Sequence, residues 1–120
     1  MSTRRSSGVG SRRGRARAFA ALGDETRLAL VAKLCAGERQ SISNLTETAG
    51  RATETRLTRQ AVTKHLRVLE RVGLVRCVHA GRERLFEFNP QPVGELKEYL
   101  ESVSAKWDET LARLRAFVEK

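Results

Sequence analysis

Gln60, Thr63, Lys64 and Arg67 recur three and four residues apart, with Arg59 beside Gln60 and Arg71 one turn beyond Arg67. On a helix that spacing gathers side chains on one face. The chemistry of this set is cationic and hydrogen-bonding. Arg forks onto guanine edges, Gln onto adenine, Lys onto guanine or a phosphate, and Thr serves several groups. Glu70 is the lone acid among them. A single basic helix face is most often simply solvated, so its meaning depends on the elements that hold it.

The holding element is LTRQAVTKHLRVLERVGL, from Leu57 to Leu74. Thr58 has the chemistry of an N-cap, its hydroxyl oxygen able to accept an orphan backbone N–H. Leu57 and Val62 stand at the positions of a hydrophobic staple. Gly73 fits the residue after the helix, where a positive φ is easily taken, and Leu74 can then fold back onto Leu69. Ala61, Val62, Leu66, Val68 and Leu69 make the inward stripe. His65 falls on that inner side, where a packed, hydrogen-bonded histidine is expected rather than a ligand.

Before this helix the sequence predicts three others. A short one covers Arg15–Leu22 and stops at Gly23. Asp24 caps the next, with Leu28, Val31, Leu34 and Cys35 as its stripe and Gly37 at its end; Cys35 is expected to pack as a small hydrophobe. The third starts at Ser43 or Asn44, with Glu47 giving a weak capping-box signal and Gly50 as its stop. Two short helices joined by a turn, the second basic on its outer face, make a helix-turn-helix. After Gly73 the period changes to alternation: LVRCVHA and RLFEF flank Ala80-Gly81-Arg82-Glu83, a hairpin bearing Arg76, Arg82 and Arg84. A basic hairpin directly after such a helix is a wing. Cys77 alternates with Val75 on one of its strands and is expected to be packed.

Pro90 and Pro92 suit a first helical turn. From Val93 to the end Leu96, Leu100, Val103, Trp107, Leu111, Leu114 and Val118 recur at threes and fours. So small a domain cannot cover so long a stripe. The surplus seam, Leu100, Val103, Trp107, Leu111 and Leu114, predicts a dimer interface, with packing on the domain's own core as the plainer alternative.

Charge and composition bound the rest. The chain has 120 residues, a net charge of +9 and a pI near 10.7, which points to a polyanionic partner. The first 17 residues hold six Arg and no acid. Residues 1–14, rich in Ser, Gly and Arg, read as a disordered basic arm: a phosphate binder, an idle tail or a misassigned translation start. Residues 15–120 read as one DNA-binding and dimerisation domain. No apolar run reaches membrane-span length and no signal-peptide core is visible, so a soluble, cytoplasmic protein without a membrane partner is expected. Two cysteines without CxxC spacing predict no disulfide framework.

The order of elements, with FAALGDETRLALVAKL, TRQAVTKHLRVLERVGLVR and GRERLFEFNP, resembles the ArsR/SmtB family of winged helix-turn-helix repressors over about residues 16–120. The resemblance implies a mainly α fold with a two-stranded β wing and helical dimerisation elements. It implies a homodimer that binds an operator palindrome in double-stranded DNA and represses. It places Thr58, Arg59, Gln60, Thr63 and Lys64 at DNA-reading positions and Arg82 and Arg84 in the wing; Arg67, a turn further along, is expected at the backbone. Two departures stand out. The stretch SISNLTETAG lacks the cysteine pair of the family's arsenic- and cadmium-type sites, and the last helix lacks the His of its zinc-type site, so no metal and no cofactor are expected and the effector is unknown. The thiol pair of persulfide-sensing relatives is matched only loosely, since Cys77 lies in the wing. The turn near Arg51–Arg56 is about six residues longer than usual, as a loop or an added half turn.

Other classes fit less well. Neither a nucleophile–base pairing nor a phosphate-cradling glycine loop is present to make an enzyme. A sequence-tolerant architectural DNA binder remains the alternative, and a protein-interaction module built on the last helix is a third reading.

Overall fold

The computed structural model describes residues 8–119. A single 3₁₀ turn, Gly8–Gly10, precedes helices α1 (Arg12–Leu22) and α2 (Glu25–Leu34); strand β1 (Gln40–Ser41) leads into α3 (Ile42–Thr53) and α4 (Arg59–Arg71); strands β2 (Val75–Ala80) and β3 (Glu83–Phe88) precede α5 (Pro90–Val118). The fold is mainly helical with a small antiparallel sheet, ordered β1-β3-β2. Thus β3, the second strand of the wing, also pairs with β1, Gln40 facing Phe86 and Ser41 facing Leu85. The sequence predicts a wing of two strands only. The third strand is two residues long and rests on a partner more than forty residues away, so no local alternation announces it.

The core sits among α2, α3, α4 and the base of the sheet. Leu30, Leu34, Leu45, Val62, Leu66, Leu69, Leu74 and Phe86 are buried there together. The inward stripe of α4 is therefore the one its periodicity predicts. A smaller cluster joins Val9, Ala18 and Leu96, so the turn before α1 is packed against α5. Helix α1 consequently starts at Arg12, capped by the Ser11 hydroxyl, which accepts the Gly14 N–H at 2.9 Å. The expected arm thus gives way to packed structure from Val9 onward; its residues 1–7 lie outside the described residues.

Helix α3 also differs from expectation. Its cap is Ser41, whose oxygen accepts the Asn44 N–H, and it runs through Gly50 to Thr53. Thr55 N–H returns to the Gly50 carbonyl at 3.0 Å, and Glu54 takes the left-handed conformation at φ 55°. The lengthened turn is therefore an added turn of helix with its own C-terminal lock. A Cβ on residue 50 would lie 3.0 Å from the Thr55 carbonyl, so glycine here serves that close return rather than stopping the helix. Asn44 is no capping-box residue; its amide donates to the Gln40 side chain at 2.6 Å.

The ends of α4 are those the sequence marks. Thr58 Oγ1 accepts the Ala61 N–H at 3.0 Å. Gly73 has φ 84°, and Leu74 N–H reaches the Leu69 carbonyl at 3.0 Å. Asn89 fixes the start of α5 to this same corner, its side-chain amide donating to the Gly73 carbonyl at 3.0 Å. Arg39 and Arg76 flank Glu87 at 2.9 and 3.1 Å and stitch the approach to β1 onto the sheet; the Arg39 hydrogen bond chiefly holds the Glu87 carboxyl below the usual carboxylate range, with the Arg39 and Arg76 charges adding to it.

Helix α5 has 29 residues, about 43 Å at 1.5 Å per residue. Its first turns pack on the domain through Pro92 and Leu96, and Tyr99 lies 6.2 Å from Phe19 with the Arg15 guanidinium 4.4 Å over its ring. Beyond this the helix leaves the core. Among the described residues no helix is long and apolar enough to cross a membrane.

Candidate nucleic-acid interface

The expected reading residues lie on the outer face of α4 and on the hairpin beside it. Arg59, Gln60, Lys64 and Arg67 are exposed, as is the cap Thr58, whose oxygen is engaged with Ala61. Thr63 is half-buried, and its hydroxyl donates to the Arg59 carbonyl at 2.8 Å. Two clefts flank this face. One, of about 560 Å³, lies between α4 and the hairpin and is lined by Thr63, Arg67, Glu70, Arg71, His79 and Arg84, with Cys77 and Phe86 completing it. The other, of about 430 Å³, brings Arg59 together with Arg82, Arg84 and the first turn of α3 at Ser41–Ser43. Arg84 thus borders both, while Thr58, Gln60 and Lys64 line neither.

The wing reaches this position because β2 and β3 pair along their whole length, from Val75–Phe88 to Ala80–Glu83. Gly81, at φ 65°, takes the first of the two central turn positions, which suits the twist of a tight hairpin. The arginines Arg82 and Arg84 follow directly. Two groups join the site that spacing alone did not assign to it: His79 and the start of α3. Arg71, which spacing puts on the outer face, lines the same cleft as Arg67. The start of α3 was hidden by placing its cap two or three residues late.

The inner face of α4 carries a polar junction. His65 Nδ1 lies 3.2 Å from an Arg27 guanidinium nitrogen and 3.8 Å from Asp24 Oδ2. The packed, hydrogen-bonded histidine expected at residue 65 is there. Cys77 is half-buried against the core, as expected. Cys35 is not: it is exposed. Helix α2 ends at Leu34, so Cys35 falls just past the stripe, and desolvation pushes its thiol up, towards the less reactive protonated form. Among the described residues no three His, Cys, Asp or Glu side chains converge as a bound metal ion would need.

The residues of the expected dimer seam stand apart from this surface, on α5. Leu100, Trp107, Leu111 and Leu114 are each at least half exposed, and Val103 is half-buried. Near the root of the helix an apolar groove of about 500 Å³ runs between α1 and α5, lined by Phe19, Leu22, Val93, Leu96 and Leu100 among others.

A three-helix core, an outward basic helix and a hairpin whose arginines return to that helix define a winged helix-turn-helix DNA-binding domain. Comparison with known proteins narrows the class. Residues 22–78 match the family model described as a helix-turn-helix domain. The uncharacterized HTH-type transcriptional regulator YuzN of Bacillus subtilis (strain 168) is 37% identical over 78 residues, 65% of this chain and 85% of that protein. The solved ArsR-like transcriptional regulator from Rhodococcus sp. RHA1 shares 37% identity over 92% of this chain and 95% of its own, with a TM-score of 0.73. The homodimeric winged helix-turn-helix domain of Mb0332 from Mycobacterium bovis, 18% identical with a TM-score of 0.61 over 92% of this chain and 95% of its own, is alike in fold. The chain belongs to the ArsR family of helix-turn-helix transcriptional regulators.

Proposed function

We propose that this regulator is a cytoplasmic homodimeric repressor that reads an operator palindrome in double-stranded DNA. The observation that carries the reading is the outer face of α4, where Gln60, Lys64 and Arg67 stand exposed and Arg67 shares a cleft with Arg84 of the wing. In this motif the N-terminal end of the recognition helix meets base edges. Arg59, Gln60, Thr63 and Lys64 occupy that end. Arg67 and Arg71 further along, and Arg82 and Arg84 across the clefts, are suited to phosphates on either side of the groove. The start of α3, the positive end of that helix dipole, borders the cleft that holds Arg59, Arg82 and Arg84 with Glu83.

Homodimerisation is supported by the exposed seam of α5 and the apolar groove at its root, and by the homodimeric state given for the Mb0332 domain. Two recognition helices related by a two-fold axis would read a palindrome. The deciding experiment is selection of bound duplexes from a random-sequence pool, followed by affinity measurements on the enriched and scrambled sequences at fixed salt. A specific regulator prefers its site by about 10³-fold or more, whereas charge alone binds both alike. Equal affinities would make the protein an architectural DNA binder. Transcription from a promoter carrying the enriched site, with and without the protein, then separates repression from activation.

A further inference from the structure

Three helices meet at Arg27. Its backbone N–H caps onto Asp24 Oδ2 at 3.0 Å, its Nε donates to the Ala21 carbonyl in the last turn of α1 at 2.7 Å, and its terminal nitrogen lies 3.2 Å from His65 Nδ1 on α4. A guanidinium has no lone pair to offer. His65 Nδ1 must therefore be the acceptor, which requires a neutral ring with its proton on Nε2. Protonation of Nδ1 removes that acceptor and sets two cations against each other. The Asp24 carboxylate, 3.8 Å away, is then the available partner.

From α2 the charged groups facing His65 are Asp24 and Arg27, and α1 contributes the Ala21 carbonyl through Arg27. Along α4 its neighbours a turn away are Ala61, Val62, Val68 and Leu69. On α3, Glu47 and Arg51 pair with each other, and on the sheet Arg76 pairs with Glu87.

We propose that Arg27 is a positioning residue for DNA reading: a strut that ties the inner face of the recognition helix to α1, and that protonation of His65 releases. The inference rests on the DNA-reading function argued above. Helix α1 carries Phe19 and Leu22 on the apolar groove, so the strut links the recognition helix to the face assigned to the dimer. Loosening it changes the angle and spacing at which two recognition helices are presented. Specific binding then weakens in acid while binding through phosphates alone does not.

The test uses the full chain and the duplex it enriches from a random-sequence pool, beside a scrambled duplex. Between about pH 8 and about pH 5.5, wild-type preference for the enriched duplex falls at least about fivefold, the lower end of coupling between sites. In His65→Asn the amide oxygen can accept from Arg27 and does not titrate, so its preference stays within about twofold across the same range. His79 is present in both proteins, so its own protonation cancels in the comparison. Identical pH profiles would overturn the proposal. If His65→Asn does not fold, ring ¹⁵N shifts of wild-type His65 decide: an Nε2–H tautomer at high pH supports the strut, an Nδ1–H tautomer excludes it. If no duplex is enriched at any pH, the DNA-reading function fails, and the ring measurement still tests the junction.

Discussion

Thr63 donates its hydroxyl proton to the Arg59 carbonyl, one turn back along α4, at 2.8 Å. A residue proposed to read bases therefore has no proton left to give. It retains a methyl group and free oxygen lone pairs, which suit a thymine methyl or an amino-group donor.

Replacing Thr63 by Val keeps the methyl and loses the internally tied hydroxyl; Ser does the reverse. We expect Thr63→Val to bind the enriched duplex within about threefold of wild type and Thr63→Ser to lose about 1 kcal/mol, at the low end for a direct base interaction. Titrations of both variants against one duplex check this, and the opposite ranking would make the hydroxyl oxygen the reading group.

The seam of α5 makes a second prediction. Leu111 and Leu114 are 51% and 54% exposed on one chain, yet they continue the three-and-four repeat begun at buried Leu96. Burying a leucine is worth about 1.5–3 kcal/mol, and a two-fold interface counts each residue twice. Leu111→Asp with Leu114→Asp should give a folded monomer that loses operator affinity. Sedimentation equilibrium that still returns a dimer would place the interface elsewhere.

The elements of the proposed DNA-reading surface were the most legible in the sequence, because their boundaries rest on local chemistry. Thr58, Gly73 and Gly81 announce a cap, a helix end and a hairpin turn through their own conformational preferences, and all three do so in the structure. What stayed hidden depends on distant partners. Gln40 gives no strand signal until Phe86 pairs with it. Gly50 looks like a stop until Thr55 folds back against it while Glu54 bears the left-handed turn, at about 1–2 kcal/mol for a residue with a Cβ. Val9 lies in an arginine-rich stretch whose packing depends on Leu96. Arg27 and His65 are 38 residues apart, and neither residue type suggests the other.

Asp24 supplies a third prediction, concerning stability. Its carboxyl is held below the usual carboxylate range, first by the Arg27 backbone N–H, with the Arg27 and His65 charges also lowering it against some desolvation. A depressed folded-state pKa means stabilisation that is present above the unfolded value, about 3.9, and lost as pH falls through the folded one. At neutral pH Asp24→Ala should cost about 1 kcal/mol for the lost cap, and Asp24→Asn, which can still cap, much less. Below about pH 4 wild type should lose stability relative to Asp24→Asn. Urea unfolding at fixed protein concentration, so that any linkage to the proposed dimer stays constant, measures both; an Asn variant as costly as Ala at neutral pH would show that the charge matters more than the cap.

The recognition helix should separate a reader from an anchor. Gln60 lies next to the N-terminus of α4, exposed and outside both clefts, where an amide can fork onto an adenine edge. Arg67 lies two turns on, in the cleft it shares with Arg71 and Arg84, where we expect a cation to meet backbone rather than bases. On a two-fold dimer the two copies should sit about 34 Å apart, so the half-sites should lie roughly 10 bp apart centre to centre. Gln60→Ala should then cost about 1–3 kcal/mol on the enriched duplex and relax preference at one base pair in each half-site. Arg67→Ala should weaken enriched and scrambled duplexes alike, and lower the slope of log affinity against log salt by about 0.9 for every phosphate that each protomer no longer neutralises. Both variants, titrated against both duplexes at two salt concentrations, give four comparisons that a merely basic surface cannot satisfy. Such a surface would lose affinity in proportion to charge, leaving Gln60→Ala silent; if instead Arg67→Ala shifts base preference, the helix enters the groove rotated towards the wing.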